Sequence, residues 1–283
     1  MGEVVYVNGQ LVASDEANLS VLDRGLLFGD GLYELIRVYG GDAFELVAHL
    51  ERLNWGARKI GFGLDVSLDS LRQACLDTLK ANEYKEALLR LVVTRGVLAD
   101  PLHVSVTAKP TVFVTCDEFA GYPAHHYEDG VGVISVTDTR SDYAMVSTLN
   151  CLPNLLAKKE AEGKRAFDAL MVTPKGFVTA GATTNVFAIL DGILITPPIG
   201  DRVPPGITRE AVLSIARREG IPDKEDAIIN DEISDAEEIF LTGTLAEVMP
   251  VVSIDSKPVG AGTPGVQTLR LMRAYKLMTR RAY

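Results

Sequence analysis

The chain has 283 residues, 47% of them hydrophobic and 23% charged, with a formal net charge of -10 and a pI near 5.0. That length suits one large or two modest domains, each with its own core, and the acidic balance argues against a nucleic-acid surface, which needs clustered Lys and Arg to replace counterions. Cys75, Cys116 and Cys151 lie far apart with no CxxC pair, against a disulfide framework or cysteine-rich zinc site and in keeping with a reducing cytoplasm; no apolar run reaches the length of a membrane span, and "MGEVVYVNGQ" has neither the basic region nor the apolar core of a signal peptide.

In chain order, "EVVYVNGQLV" reads as a strand broken by an Asn-Gly hairpin turn. In "LDRGLLFGDGLYELIRVYGGDAFEL" two glycine-rich turns interrupt strand-like runs, and two helices follow near 48 to 61 and 67 to 82. "EALLRLVVTRG" and "TVFVTCDEF" return to strand, which gives a small α+β domain over residues 1–118. The stretch 119–129, with "AGYPAHHYEDG", reads as a solvated connector.

A larger domain over 130–283 opens with the strand "VGVISVTDTR". "MVSTLNCLPNLLAKKEA" gives an extended approach, a tight turn and a helix started by Pro153. The run "DALMVTPKGFVTAGATTNVFAILDGILITPP" reads as three strands punctuated by Pro-Lys-Gly and Leu-Asp-Gly turns. "TREAVLSIARREG" is a helix with Thr208 as N-cap and Gly220 at its end. The strands "EIFLTGT" and "VMPVVSID" precede a terminal helix whose Val266, Leu269 and Met272 are spaced to face a core.

Three features could carry chemistry. "PPGITRE" places Gly206, Ile207 and Thr208 at a helix start, where free N–H groups and the helix dipole favour an anion. "LTGTLAE" sets Gly243 and Thr244 directly after a strand, with donors for the same anion. Arg52, in "HLERLNWGA", could add a charge-assisted fork. The plainer reading of each is a helix cap, a loop and a surface arginine. No Walker A loop, no GxGxxG after a strand and no GxSxG elbow occurs. His125, His126, Glu128 and Asp129 have the residue types of a metal cluster, but adjacent histidines in a strand or loop point apart, so no metal site is expected. Cys151 reads as a small buried apolar residue, and Trp55 and the tyrosines as core positions.

Taken together, "VNGQLV", "DRGLLFGDGLYELIRVY", "HLERL", "LNCLPNLLAKKEA", "VTAGATTNVF", "PPGITRE", "FLTGTLAEVMPV" and "SKPVGAGTPG" resemble the class IV aminotransferases, the pyridoxal-phosphate fold-type IV family of branched-chain aminotransferases, D-amino-acid aminotransferases and aminodeoxychorismate lyases. The resemblance implies a small α+β domain, a larger pseudo-barrel domain and a homodimer. It implies a phosphate cup of Arg52, Ile207, Thr208, Gly243 and Thr244, with Asn185 closing the E-G-x-x-x-N motif and Tyr33 lining the substrate side.

Two departures fall where the chemistry should be. Ser147 stands where the family has its Schiff-base lysine, and Ala180 where it has the glutamate that pairs with the pyridine nitrogen; Cys151 occupies the place of a tyrosine near the cofactor hydroxyl. Serine can neither link to the cofactor nor shuttle a proton at neutral pH without an activating base, and a methyl group cannot hold the ring nitrogen protonated. Lys158 and Lys159 fall on the following helix, well past the strand end, and Lys175 in a hairpin turn, so none is an attractive replacement.

Three readings follow from this pattern. The first is a divergent enzyme with pyridoxal or pyridoxamine phosphate, or another phosphorylated compound, bound without a covalent link and with Ser147, Tyr33 and Cys151 on its reaction face. The second is a conventional branched-chain or D-amino-acid transaminase, and the third a dimeric binding module with no catalysis and no cofactor. Arg95 and His103, with Asp100 between them, sit on the "TRGVLADPLHV" loop where D-amino-acid enzymes hold the substrate carboxylate, though at different spacing; capping the strand end is the favoured role for Arg95.

Overall fold

The computed structural model describes residues 3–98 and 109–280, so Asp100 and His103 lie outside the described residues. The chain forms two compact units. One draws on Met1–Ala120 and Val146–Asn150, the other on Gly121–Met145 and Cys151–Thr279.

In the first unit, β1 (Val4–Val7) and β2 (Gln10–Ala13) make the hairpin expected at Asn8-Gly9. Both turn residues have positive φ, 48° and 102°, which a two-residue hairpin loop requires and which Asn and Gly accept. The next run is not a strand but a short helix, α1 (Arg24–Phe28). The Asp23 carboxylate caps it by accepting from Gly25 N–H at 2.7 Å, and Gly29 ends it in the left-handed region; these local caps outweigh the apolar run that suggested a strand. Then come β3 (Gly31–Tyr39), β4 (Asp42–Ala43), α2 (Leu46–Lys59), α3 (Leu68–Asn82), β5 (Ala87–Thr94) and β6 (Thr111–Glu118). The six strands form an antiparallel sheet in the order β2-β1-β6-β5-β3-β4, with α2 packed on β3 and α3 on β1 and β6. Apolar positions at helical spacing explain both helices: α2 buries Leu46, Leu50, Leu53 and Ala57, and α3 buries Leu71, Ala74, Cys75 and Leu79.

The second unit contains α4 (Ala124–Glu128), β7 (Val131–Thr137), α5 (Leu152–Gly163), β8 (Asp168–Val172), β9 (Phe177–Gly181), β10 (Asn185–Leu190), β11 (Ile193–Thr196), α6 (Ile207–Arg218), β12 (Asp223–Glu225), β13 (Ile228–Ile229), β14 (Glu238–Gly243), β15 (Glu247–Ile254), β16 (Lys257–Pro258) and α7 (Val266–Arg280). Its ten-stranded sheet runs β12-β11-β10-β14-β15-β7-β8-β9-β13, with β16 on β15. The pairs β11–β12, β15–β7 and β7–β8 are parallel. Val133, Leu170, Val186, Leu241 and Met249 anchor its core, while α5 lays Ala157 and Ala161 against Ile134, Ala169 and Met171. The α+β class expected from the sequence is the class observed.

Several expectations need correction here. The run from residue 168 holds four strands, not three, because a turn at 181–184 separates β9 from β10: Gly181 N–H donates to Thr184 O at 2.8 Å, and the Thr184 hydroxyl donates to buried Asp168 at 3.0 Å. Thr208 is not the N-cap of α6; extended Gly206 takes that position, and Thr208 is buried in the first turn. Gly220 does end that helix, at φ 72°, with Gly220 N–H on Arg217 O and Ile221 N–H on Ala216 O, the paired bonds of a Schellman motif. On α7 the buried residues are Thr268, Leu271, Tyr275 and Thr279; of the three positions read as inward, Met272 packs against the core, Leu269 is half-buried and Val266 is 78% exposed, so the inward face is only partly the one read in the sequence.

The 119–129 stretch is not simply solvated. Its His125 and His126 lie in helix α4 with ring centroids 4.4 Å apart, because helical geometry lets neighbours touch where a strand would separate them. Tyr122 and His126 stack edge-on with Phe167, and Tyr127 is buried. No group of three His, Cys, Asp or Glu able to hold a metal occurs among the described residues. Tyr143 is exposed, so the tyrosines are not uniformly core.

Candidate functional site

In the first unit strand β3, fifth in the six-stranded sheet, carries Tyr33 and Glu34 as consecutive residues. The returning segment Val146–Asn150 adds to its open edge: Tyr33 N–H donates to Ser147 O at 2.9 Å, Leu149 N–H donates to Gly31 O at 3.0 Å, and Leu32 sits opposite Thr148. Two ladder bonds therefore fix the backbone of Ser147 beside Tyr33. Helix α2 supplies Arg52. Its Nε donates to Glu34 Oε1 at 2.9 Å and its Nη2 to Glu34 Oε2 at 2.5 Å, a two-pronged clamp, while His49 Nδ1 lies 2.7 Å from Glu34 Oε2. Glu34 and His49 are almost wholly buried, and Arg52 keeps 18% of its side chain exposed.

Burial pushes the Glu34 carboxyl upward, but the Arg52 charge and the bonds from His49 and Arg52 outweigh it and hold it below its ordinary value. Burial holds the His49 imidazole below its ordinary value despite Glu34. The Tyr33 phenol lies within electrostatic reach of Arg52. The structure thus gathers Tyr33, Arg52 and Ser147 in one unit, and adds two residues that the sequence reading missed. A glutamate inside an apolar strand, and a histidine three residues before an arginine on the inner face of a helix, were the available signals.

In the second unit, Asn185 opens β10 and directs its side chain at the start of α6. Its Nδ2 donates to Pro204 O at 2.9 Å, and a Cβ on Gly206 would lie 2.0 Å from its Oδ1. Gly206 is therefore required by close approach, and the N–H groups of the first turn, including those of Ile207 and Thr208, begin where Asn185 holds the chain. Asn185 pairs with Thr242 across the sheet, so Gly243 and Thr244 follow directly from that pair, and α6 packs on β14. The sequence-predicted residues Asn185, Ile207, Thr208, Gly243 and Thr244 thus share one unit.

Ala180 is fully buried in β9 opposite Met171. The neighbouring turn is held from two sides: Asn154 Nδ2 donates to Ala182 O at 2.7 Å, and Asp168 receives Thr184 Oγ1 and, at 2.9 Å, Ala169 N–H. Burial raises the Asp168 carboxyl above its ordinary value. Cys151, expected to be buried, is half-buried at the N-cap position of α5, where the polar start of a helix meets solvent.

Every lysine of the sequence lies among the described residues, and all are exposed except Lys158 and Lys276. Lys158 Nζ donates to Phe167 O and sits 4.5 Å from that ring's centroid; Lys276 lies over the Tyr127 ring. Arg95 is bound to Asp30 at 2.9 Å and to the carbonyl of Gly61 beyond α2 at 3.1 Å, with its guanidinium 4.9 Å from the Phe62 centroid. These contacts give it the structural role favoured from the sequence.

The amino-transferase class IV family matches residues 31–254. This chain belongs to the class IV aminotransferase family. The D-alanine aminotransferase of Staphylococcus aureus is 34% identical to it over 97% of both chains, and that of Bacillus licheniformis 35% identical over 95% of both. Among solved structures, the branched-chain amino acid aminotransferase of Escherichia coli superposes with a TM-score of 0.93 at 27% identity, covering 99% of this chain and 95% of that one. The T.th. branched-chain amino acid aminotransferase with pyridoxamine 5'-phosphate gives 0.90 at 28% identity, covering 99% and 94%. The two-sheet α+β architecture is accordingly fold-type IV. Both kinds of relative are aminotransferases, which places the family's activity in amino-group transfer. No helix among the described residues is long and apolar enough to cross a membrane.

Proposed function

We propose that this chain is a divergent class IV aminotransferase-like enzyme of the cytoplasm that holds a phosphate-bearing ligand without a covalent lysine link. The ligand is pyridoxal or pyridoxamine phosphate, or another small phosphorylated compound, and the assembly is a homodimer. The observation that carries the reading is Ser147. Its backbone is fixed next to Tyr33 at the position where the family resemblance implies the lysine, and a serine hydroxyl does not form that link.

Each unit offers donors of the kind that a phosphate takes. Arg52 offers a clamped guanidinium, the N–H groups of Ile207 and Thr208 open a twelve-residue helix beyond Gly206, and Gly243 with Thr244 ends a strand. By contrast, Ala180 presents a buried methyl at the position where the resemblance implies a carboxylate that keeps a pyridine nitrogen protonated. Bound pyridoxal phosphate supplies an electron sink to amino-acid chemistry. The roles proposed for this chain are narrower: the phosphate donors bind and orient, and Ser147, Tyr33 and Cys151 line the reacting face.

A conventional transaminase is the second reading, favoured by the activities named for the relatives. Absorbance spectra of the purified protein with and without pyridoxal phosphate, repeated after borohydride and dialysis, separate the two. The proposal expects no chromophore, or one that dialysis removes, and no modified lysine on peptide mapping. A borohydride-fixed adduct on any lysine overturns it and restores covalent transamination.

A further inference from the structure

We propose that His49 sets the charge of the Arg52 anion site by taking up a proton when an anion binds there, with Glu34 as the residue that positions both side chains. The inference rests on the reading above that Arg52 meets a phosphate, and concerns only residues of the first unit.

The geometry is a shared carboxylate. Glu34 Oε2 accepts from Arg52 Nη2 at 2.5 Å and lies 2.7 Å from His49 Nδ1, while Oε1 accepts from Arg52 Nε at 2.9 Å. With a neutral imidazole the three side chains sum to zero charge. An arriving dianion therefore meets a guanidinium whose charge is already matched by a buried carboxylate, which weakens the site for anions. Arg52 has no further charge to give. Among the three, the imidazole is the group whose ordinary value lies closest to neutral pH.

The groups facing His49 support that assignment. Glu34 on β3 and Glu45 at the start of α2 favour its charged form, and Arg52 on α2 opposes it. Cys75 comes from α3 within reach of the same carboxylate, and its thiol is pushed up to about 12, so it stays neutral. Tyr33 on β3 lies within electrostatic reach of Arg52. Burial favours the neutral imidazole in the free protein. Negative charge added beyond Arg52 is connected to the imidazole through the shared Glu34 oxygen and raises its proton affinity. The proton comes from solvent and settles on the ring nitrogen that does not face Glu34, whose carboxylate stays ionised.

The test uses sulfate, a dianion across the neutral range, so that the probe itself does not titrate. Trp55, the only tryptophan, lies on α2 three residues beyond Arg52 and supplies the fluorescence signal. At constant ionic strength, sulfate affinity of the intact protein should rise by up to about tenfold for each pH unit lowered between pH 8 and 6, the slope of a single linked proton. His49→Gln should retain binding and flatten the slope to less than about twofold per unit. Calorimetry of the unaltered protein in two buffers of different ionisation enthalpy gives the same quantity without a variant, and should approach one proton taken up per chain. Binding with a flat pH profile, zero proton uptake, or an unchanged slope in His49→Gln overturns the proposal and leaves the anion site standing. Absence of sulfate binding at every pH removes both the anion site and this inference.

Discussion

Glu34 carries stability as well as position. Its folded-state carboxyl sits below the ordinary value because Arg52 and His49 outweigh the effect of burial, so the stabilisation is present above about pH 4.5 and is lost as pH falls through the lower, folded value. Glu34→Gln keeps the shape and removes the charge. At pH 7 it should cost about 3 kcal/mol, since a buried guanidinium loses its counterion, and the acid limb of the stability curve should flatten; urea midpoints between pH 3 and 7 measure both. Gly206 gives a steric counterpart. A Cβ there would stand 2.0 Å from Asn185 Oδ1, so Gly206→Ala should cost about 1–3 kcal/mol as the helix start or the asparagine shifts. The same change should weaken any anion held by the first turn of α6, which equilibrium dialysis against labelled phosphate would show.

At the scale of elements, α7 separates two readings of one helix. Leu271 is fully buried and Val266 is 78% exposed. Leu271→Ala should therefore destabilise by about 2–5 kcal/mol, while Val266→Ala should fall within about 0.5 kcal/mol of the parent. Equal losses in urea titrations would restore the face read from the Val266, Leu269 and Met272 spacing. That spacing held for Met272, which packs on the core, and failed for Val266, because three-residue steps drift around a helix of 3.6 residues per turn; Glu238 fixes the helix start by accepting from Gln267 and Thr268 N–H. Elements fixed by neighbours in sequence were legible: the Asn8-Gly9 and Asp191-Gly192 hairpins, the periodic helices α2 and α3, and the Gly220 stop. Those fixed by distant partners were not. The 181–184 turn depends on Asp168, and the clamp on Arg52 joins residues 18 apart in sequence, a pairing that no local pattern encodes. The candidate anion residues could be named from helix-start and turn patterns, whereas Glu34 and His49 left only a residue-type signal, without the pairing that gives it meaning.

For the whole molecule, the unusual feature is where the leucines go. Helix α5 turns its alanines toward the sheet and leaves Leu152, Leu155 and Leu156 at 64%, 60% and 56% exposure, the reverse of an ordinary amphipathic helix. In the first unit, Val21, Leu22 and Leu26 are likewise exposed in and before α1. Exposed leucines gathered on one helix mark an interface, and a chain of net charge -10 gains solubility from charge without covering them. A second copy is the partner that the proposed homodimer supplies. Sedimentation at micromolar concentration should then give twice the 30.6 kDa chain mass. Leu155→Glu should shift the population toward 30.6 kDa while circular dichroism stays unchanged, because the substituted side chain is not part of the chain's own core. If the unaltered protein sediments as a single chain, the leucines have another partner and the dimer is wrong. If it is a dimer that Leu155→Glu leaves intact, the interface lies elsewhere, and the exposed residues around α1 become the surface to substitute next.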